Sequence, residues 1–162
     1  MPRLHRSDGL LAHAQAVLQR ERQRLAVITD APLVLTGGSS LAGAWTVGDV
    51  DLHLRVEPSH FAEVVGRLRE VYEVVYPEIW TDTLATFVMA DEPVGIAVTP
   101  IGSVHDRRFT TAWSKLRDDP ATLAAYNEVK LAHAGSDDAE YRAAKARFFD
   151  RLATFSRRSA DP

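Results

Sequence analysis

Residues 49–56 alternate strictly between polar and apolar side chains, as Asp-Val-Asp-Leu-His-Leu-Arg-Val. A period of two over this length is typical of a β-strand with one buried face. The apolar face consists of Val50, Leu52, Leu54 and Val56, and the polar face consists of Asp49, Asp51, His53 and Arg55. The segment therefore predicts a strand that packs on a core and presents two neighbouring carboxylates on its other face.

A glycine- and serine-rich turn precedes this strand. The short apolar segment Leu33–Leu35 leads into Gly37-Gly38-Ser39-Ser40, and we expect residues 39–45 to form a brief helix. A Gly-Ser turn at a helix start exposes backbone N–H groups and hydroxyls, which suit phosphate oxygens, and glycine permits close approach. Gly38, Ser39 and Ser40 are therefore the candidate phosphate-binding residues.

The two carboxylates are candidate metal ligands. Asp49 and Asp51 leave the same face of the strand and repel each other, and a hard divalent cation such as Mg²⁺ relieves that repulsion. A magnesium ion held there can bridge to triphosphate oxygens. Each feature alone has a plainer reading: the turn as an ordinary loop, and the alternating strand as a half-solvated edge. Together they predict a nucleotide-transfer site.

The rest of the chain predicts one α/β (α+β) domain over residues 1–162. We expect an α/β core at about 1–104, with C-terminal helices at about 105–157 packed on it, since no linker separates the two. The expected elements are a first helix that starts at Ser7-Asp8 and ends near Thr29-Asp30, a helix opened by Pro58-Ser59, a hairpin of strands Leu84–Ala90 and Val94–Thr99, and helices at 106–118, 120–134 and 137–157.

Composition narrows the function classes. The chain has no cysteine, which excludes disulfides and thiolate metal sites, and its net charge of −3 makes nucleic acid an unlikely partner. No apolar run approaches the roughly 18 residues of a membrane span, and the first residues carry no apolar signal-peptide core. We therefore expect a cytoplasmic protein that does not bind membranes.

The stretch GGSSLAGAWTVGDVDLHL resembles the signature of the DNA polymerase β-type nucleotidyltransferase superfamily. The resemblance implies the nucleotidyltransferase fold, a small mixed sheet flanked by helices with a helical C-terminal extension. By the same resemblance, Gly38 and Ser39 would hold a nucleoside triphosphate such as ATP, and Asp49 and Asp51 would bind magnesium.

The C-terminal third carries a second resemblance. KLRDDPATLAAYNEVKLAHAGSDDAEYRAAKARFFDRL is similar to the helical tail of the GrpB family of nucleotidyltransferase-like proteins. The matching residues are Leu116, Arg117, Pro120, Tyr126, Lys130, Tyr141, Lys145 and Phe148. Each tyrosine lies four residues before a lysine, so each pair shares a helix face. The pairs either line a phosphate or acceptor pocket, or the tyrosines pack between helices while the lysines reach water.

Active nucleotidyltransferases of this superfamily usually place a third carboxylate on a neighbouring strand. The candidate strands, LATFVMA and VGIAVTP, contain no acidic residue, and Gly95, Ala97 and Thr99 are expected on the active face. His53 shares a face with both aspartates, and its ordinary pKa of about 6.5 suits a general base. The alternative is a histidine that is hydrogen-bonded at the edge of the site or solvated.

The leading hypothesis is a magnesium-dependent nucleotidyltransferase-like protein. It would bind a nucleoside triphosphate and transfer a nucleotidyl group to a hydroxyl of a small molecule or a protein. One alternative is a non-catalytic nucleotide- or phosphate-binding or protein-interaction module on the same fold, and another is a two-carboxylate phosphohydrolase. The resemblance also leaves open a homodimer that completes the acceptor pocket.

Overall fold

The computed structural model of the chain describes the backbone of residues 3–158 and the side chains of residues 3–153. Its strands are β1 (His5–Arg6), β2 (Leu33–Thr36), β3 (Trp45–Thr46), β4 (Val50–Val56), β5 (Glu73–Val74), β6 (Ala85–Val88) and β7 (Val94–Pro100). Its α-helices are α1 (Leu11–Leu25), α2 (Phe61–Leu68), α3 (Val104–Asp118), α4 (Pro120–Ala132) and α5 (Asp138–Arg158). Short 3₁₀ turns lie at Ser7–Gly9, Gly38–Ser40, Pro58–His60 and Pro77–Ile79.

Five strands form one mixed sheet in the order β2-β4-β7-β6-β5. β4 and β7 are parallel, and the other neighbouring pairs are antiparallel. In this register Asp51 lies beside Thr36 of β2 on one side and beside Gly95 of β7 on the other. The alternating strand is therefore interior to the sheet, with the Gly-Ser turn at the end of its neighbour.

The two faces of the sheet are covered differently. The apolar residues of β4 belong to a core that includes Ala14, Val17, Leu18 and Leu25 of α1 and Val64 and Leu68 of α2. A second apolar cluster joins the three C-terminal helices to the loop after the Gly-Ser turn and includes Leu41, Ala44, Leu116, Tyr126 and Phe148. The polar face of β4 thus lies under the C-terminal helices, which the alternation alone did not indicate.

The C-terminal helices begin at side-chain caps. The Ser103 hydroxyl accepts a hydrogen bond from the Asp106 amide at the start of α3, and the Asp119 carboxylate accepts one from the Ala121 amide at the start of α4. Pro120 follows the second cap in the first position of α4, where its missing N–H costs nothing. The caps fix the starts of α3 and α4, which lie within two residues of the predicted starts at 106 and 120.

The fold class and the hairpin of β6 and β7 are confirmed, but two local predictions are wrong. The first helix ends at Leu25, where a turn over residues 26–28 leads the chain back towards β2, and Arg22 binds the Leu33 carbonyl. Residues 39–45 contain a single 3₁₀ turn, because Gly43 adopts φ 78° and the Trp45 amide donates to Asn127, which keeps the segment extended.

Among the described residues, no helix has the length and apolar character required to cross a membrane.

Candidate functional site

A cavity of about 280 Å³ lies between the polar face of the sheet and the C-terminal helices. It crosses the strands, from Thr36 and Gly37 at the end of β2 to Val75 and Tyr76 after β5. Its charged lining residues are Asp49, Asp51, Lys130 and Lys145, and its aromatic lining residues are Tyr76, Phe87, Phe109, Trp113, Tyr126, Tyr141 and Phe149. Residues from both matching segments of the sequence therefore meet in one cavity.

The Gly-Ser turn lies directly against Asp51. Gly37 has φ 73°, and a Cβ added there would lie 2.0 Å from Asp51 Oδ2. A side chain at this position would be strained by the backbone conformation and would collide with the carboxylate. Glycine is thus required for the turn to approach the acidic strand.

Burial, followed by the negative charge of Asp49, raises the pKa of the Asp51 carboxyl to about 6. Lys145 and Lys130 oppose this rise but do not cancel it. No side chain in the described part of the chain donates a hydrogen bond to this carboxylate, whereas Asp49 Oδ1 has the Thr46 hydroxyl at 3.4 Å. Two close carboxylates with few protein donors are suited to a cation or to the donor groups of a ligand.

The hydroxyls of Ser39 and Ser40 stabilise the turn through hydrogen bonds to backbone carbonyls. Ser39 is 2% exposed, and its hydroxyl donates to the Asp49 carbonyl over 2.5 Å. The Ser40 hydroxyl donates to the Gly37 carbonyl over 2.7 Å. Sequence reasoning assigned both hydroxyls to phosphate, but here they are occupied within the protein, and Gly37 and Gly38 line the cavity instead.

Both lysines predicted from the helical tail reach the cavity. Lys130 is 3% exposed, its Nζ donates to the Trp45 carbonyl, and the same atom lies 4.5 Å from the centre of the Tyr126 ring. Burial, followed by the positive charge of Lys145, lowers the pKa of Lys130 to about 8. Lys145 lines the cavity with its Nζ 5.2 Å from the Tyr141 ring. The interpretation that these lysines reach out to water is wrong for Lys130.

The two tyrosines also face the acidic pair. Burial, followed by the charge of Asp51, raises the pKa of Tyr126 well above its ordinary value. Burial and the charge of Asp49 raise the pKa of Tyr141 to about 12. Both phenols are therefore neutral near pH 7 and keep an O–H group that can donate to an anionic ligand.

Of the three tryptophans, Trp113 lines the cavity, where its ring lies 5.2 Å from that of Phe149. Trp80 borders a separate groove on the other side of the sheet edge, and its indole N–H donates to Thr86 and Val75. The sequence predicts a packing face on α5 made of Phe148, Phe149, Leu152 and Phe155, and Phe148 and Phe149 do pack around Tyr126. The side chain of Phe155, expected in the same packing face, lies outside the described residues.

His53 is not among the residues that line the cavity. Its Nε2 lies 2.7 Å from the Thr99 hydroxyl, and its ring packs edge-on against Phe109. Burial lowers its pKa to about 4, so the imidazole is neutral near pH 7. The interpretation of His53 as the general base therefore gives way to the alternative, a buried and hydrogen-bonded histidine.

Three arginines of β4 and α3 are paired within the protein. Arg55 binds Asp106 through two hydrogen bonds of 2.7 and 3.0 Å. Arg107 donates to the Gly102 carbonyl, and Arg108 pairs with Asp150. These contacts fasten α3 to the sheet and to α5, and they lie apart from the cavity.

Small residues lie beside the acidic strand on the neighbouring strand β7. In the register of β4 and β7, Gly95 faces Asp51 and Ala97 lies beside His53. A Cβ at Gly95 would lie 3.5 Å from Asp51 Oδ1, so this position borders the acidic pair directly. Within residues 3–153 no group of three or more His, Cys, Asp or Glu side chains could hold a metal ion.

Sequence reasoning did not identify Tyr76 and Phe109 as cavity residues. Tyr76 reaches the cavity because its segment follows the edge strand β5, a two-residue strand without a clear sequence pattern. Phe109 reaches it because α3 crosses the polar face of the sheet. Both positions depend on tertiary contacts that periodicity does not encode.

Comparison with known proteins gives a fold and a weak sequence relationship. No protein family profile matches the chain. A UPF0157 protein of Vibrio cholerae is 26% identical over 151 residues, which cover 91% of this chain and 80% of that protein. The crystal structure of the conserved protein GrpB from Enterococcus faecalis superposes with a TM-score of 0.64 at 14% identity, covering 92% of this chain and 98% of that one. The chain thus has a GrpB-like fold.

Proposed function

We propose that this protein binds a nucleoside triphosphate with a magnesium ion in the cavity and acts as a nucleotidyltransferase-like protein. The observation that carries the proposal is the convergence of Asp49 and Asp51 with Lys130 and Lys145 in one cavity. A triphosphate-metal complex presents both signs of charge, which matches acidic and basic residues on opposite walls.

The donor chemistry of the acidic pair fits magnesium. Mg²⁺ prefers oxygen ligands and is commonly held by one or two carboxylates, with phosphate oxygens and water completing its shell. Asp49 and Asp51 would supply the carboxylates. When bound, the ion would neutralise charge on the triphosphate and on any group being transferred.

The chain's own residues would orient the ligand. Lys130 and Lys145 would bind phosphate oxygens, and the phenol groups of Tyr126 and Tyr141 would donate further hydrogen bonds. Trp113 and Phe149 make part of the cavity wall apolar. Gly37 and Gly38 allow the phosphates to lie against the backbone of the turn.

One observation favours a second candidate, a non-catalytic nucleotide- or phosphate-binding module. Transfer requires a group that takes the proton from the acceptor hydroxyl. Gly95 occupies the position that faces Asp51, and His53 is packed away from the cavity, so neither supplies that group. Binding of the triphosphate needs no such group.

Titration calorimetry of ATP and GTP with magnesium tests the proposal. We expect magnesium-dependent binding by the wild type and loss of binding in Asp49→Asn/Asp51→Asn. The control Glu57→Gln/Glu63→Gln removes the same number of charges at two exposed positions and should bind normally. Absence of binding by the wild type would refute the proposal.

An acceptor screen then separates the two candidates. Release of pyrophosphate with a hydroxyl acceptor would identify nucleotidyl transfer, whereas release of inorganic phosphate would identify hydrolysis. Tight binding with neither product over the screen would favour the non-catalytic module.

A further inference from the structure

The mouth of the cavity carries an aromatic residue in an unusual backbone conformation. Tyr76 has φ 49° and ψ 52°, and it is the one non-glycine residue of the described chain with positive φ. A bulky residue in this left-handed region is strained, and such strain is retained where the surrounding structure fixes a useful orientation. Pro77 follows directly and disfavours the right-handed helical alternative.

This conformation brings the Tyr76 ring to the cavity while leaving it accessible. Tyr76 lines the cavity, yet 40% of its surface is exposed. The other tyrosines of the wall, Tyr126 and Tyr141, are buried. Tyr76 is therefore a cavity tyrosine whose ring has room to take a ligand group at the solvent side.

A cation of α5 packs against the same ring. The Arg142 guanidinium lies 5.1 Å from the centre of the Tyr76 ring, and its Nη1 lies 3.4 Å from the phenol oxygen. Arg142 is exposed on α5, three residues before Lys145, so the two cations share a helix face. The guanidinium is in cation–π contact with one face of the ring and holds the ring in place, so a planar group would stack on the other face.

The distance between this pair and the acids suits an elongated ligand. Asp51 is on β4, and Tyr76 follows β5, which is three strands away in the sheet. At about 4.8 Å per strand this separation is roughly 14 Å. The cavity of about 280 Å³ is at the lower end of ligand pockets, so phosphates bound near the acids would leave the rest of a nucleotide towards the mouth.

We propose that Tyr76 binds the base of the nucleotide by stacking on it at the mouth of the cavity, while Arg142 holds the tyrosine ring in place from its other face. This inference rests on the proposed function, because it assumes that the phosphates lie at the acidic end. Stacking on an aromatic ring tolerates any base, so the pair would favour nucleotides over phosphates without a base and would discriminate weakly among bases.

Calorimetry with two magnesium-bound probes, ATP and inorganic tripolyphosphate, tests this assignment. Tyr76→Asn removes the ring but keeps a residue that tolerates the left-handed conformation, and Tyr76→Phe keeps the ring. We expect Tyr76→Asn to weaken ATP binding about 5- to 100-fold and to leave tripolyphosphate binding unchanged. Tyr76→Phe should bind both probes as the wild type does.

Arg142→Ala gives an independent variant, since an exposed helix position tolerates alanine. It should weaken ATP binding more than tripolyphosphate binding. The matched control is Arg69→Ala, which removes a guanidinium 4.9 Å from the Trp80 ring in the separate groove and should change neither affinity.

The outcomes distinguish this inference from the proposed function. Unchanged ATP affinity in Tyr76→Asn and Arg142→Ala, or an equal loss for both probes, would overturn the base-binding role while magnesium-triphosphate binding stands. A wild-type protein that binds neither probe would overturn both proposals.

Discussion

The polar face of β4 has two halves whose side chains differ in their partners. In the C-terminal half, His53 is bonded to Thr99, and Arg55 is bonded twice to Asp106. In the N-terminal half, Asp49 and Asp51 face a cavity, and the pKa of Asp51 is raised by burial and by its acidic neighbour. The polar side chains of the C-terminal half have their hydrogen-bond partners within the protein, whereas the carboxylates of the N-terminal half can still bind a ligand.

This difference shows that the alternation of polar and apolar residues does not by itself distinguish ligand-binding residues from residues that stabilise the fold. The four polar residues follow the same period and lie on the same face. Helix α3 supplies Asp106 and Phe109 to the C-terminal half and closes it, whereas glycines at positions 37 and 95 keep the N-terminal half open. Buried charges with incomplete partners cost stability and are concentrated at functional sites.

The largest effect on stability is expected when the Arg55–Asp106 pair of the C-terminal half is removed. Asp106→Ala leaves Arg55, which is about a third exposed, without its carboxylate and removes an acceptor for the Gly102 amide. We expect the free energy of unfolding, measured with urea, to fall by about 2–4 kcal/mol. Glu92→Ala, which breaks the exposed pair with Arg20, should cost less than about 1 kcal/mol. Equal losses in the two variants would contradict the comparison.

The pH dependence of stability should show His53 as part of the scaffold. Because burial lowers its pKa to about 4, the folded state resists protonation that the unfolded state accepts below about 6.5. The contribution is present above pH 6.5 and is lost as the pH falls towards 4, by about 2–3 kcal/mol. His53→Gln should flatten this part of the stability curve in metal-free buffer. An unchanged curve would show that His53 titrates normally.

Asp51 should behave in the opposite way over nearly the same pH range. Because its pKa is raised to about 6, the charged carboxylate destabilises the folded state at pH 7, and this penalty is lost as the pH falls from about 6 towards the ordinary aspartate pKa of about 3.9. Without metal, Asp51→Asn should therefore raise the free energy of unfolding at pH 7 by about 1–2 kcal/mol. Destabilisation by this substitution would indicate that Asp51 belongs to the scaffold.

The smallest expected effect concerns ligand binding to the open half. Lys130→Met should lower the affinity for magnesium-ATP about tenfold, equivalent to about 1.4 kcal/mol, as measured by calorimetry. Because the pKa of Lys130 is lowered to about 8, the affinity of the wild type should also fall as the pH rises through this value. Lys115→Met on α3, outside the cavity lining, should bind normally. Equal binding by both variants would exclude Lys130 from the site.

Much of the fold could be predicted because its signals are local. The alternation of residues 49–56 and the helix start at Pro120 act within a few residues of chain. The sheet order and the two-residue strands β1, β3 and β5 could not be predicted in the same way, because they depend on pairing between distant segments.

The candidate site likewise contains residues that local sequence signals predict and residues that only contacts between distant segments position. Asp49 and Asp51 follow from a spacing, and Lys130 and Lys145 from a spacing and a resemblance, so the sequence could identify them. His53 was misassigned because its partners Thr99 and Phe109 lie on other elements. Tyr76 was missed because its position results from a left-handed turn at the sheet edge.

The central claim is that Asp49 and Asp51 form a cation site that the bound triphosphate completes. The most direct measurement is electron paramagnetic resonance of Mn²⁺, used in place of Mg²⁺ and titrated into the protein with and without ATP. The account predicts one bound Mn²⁺ per chain in the presence of ATP, and loss of that binding in Asp49→Asn/Asp51→Asn with no loss in Glu57→Gln/Glu63→Gln. Equal Mn²⁺ binding by the wild type and the aspartate double variant would contradict it.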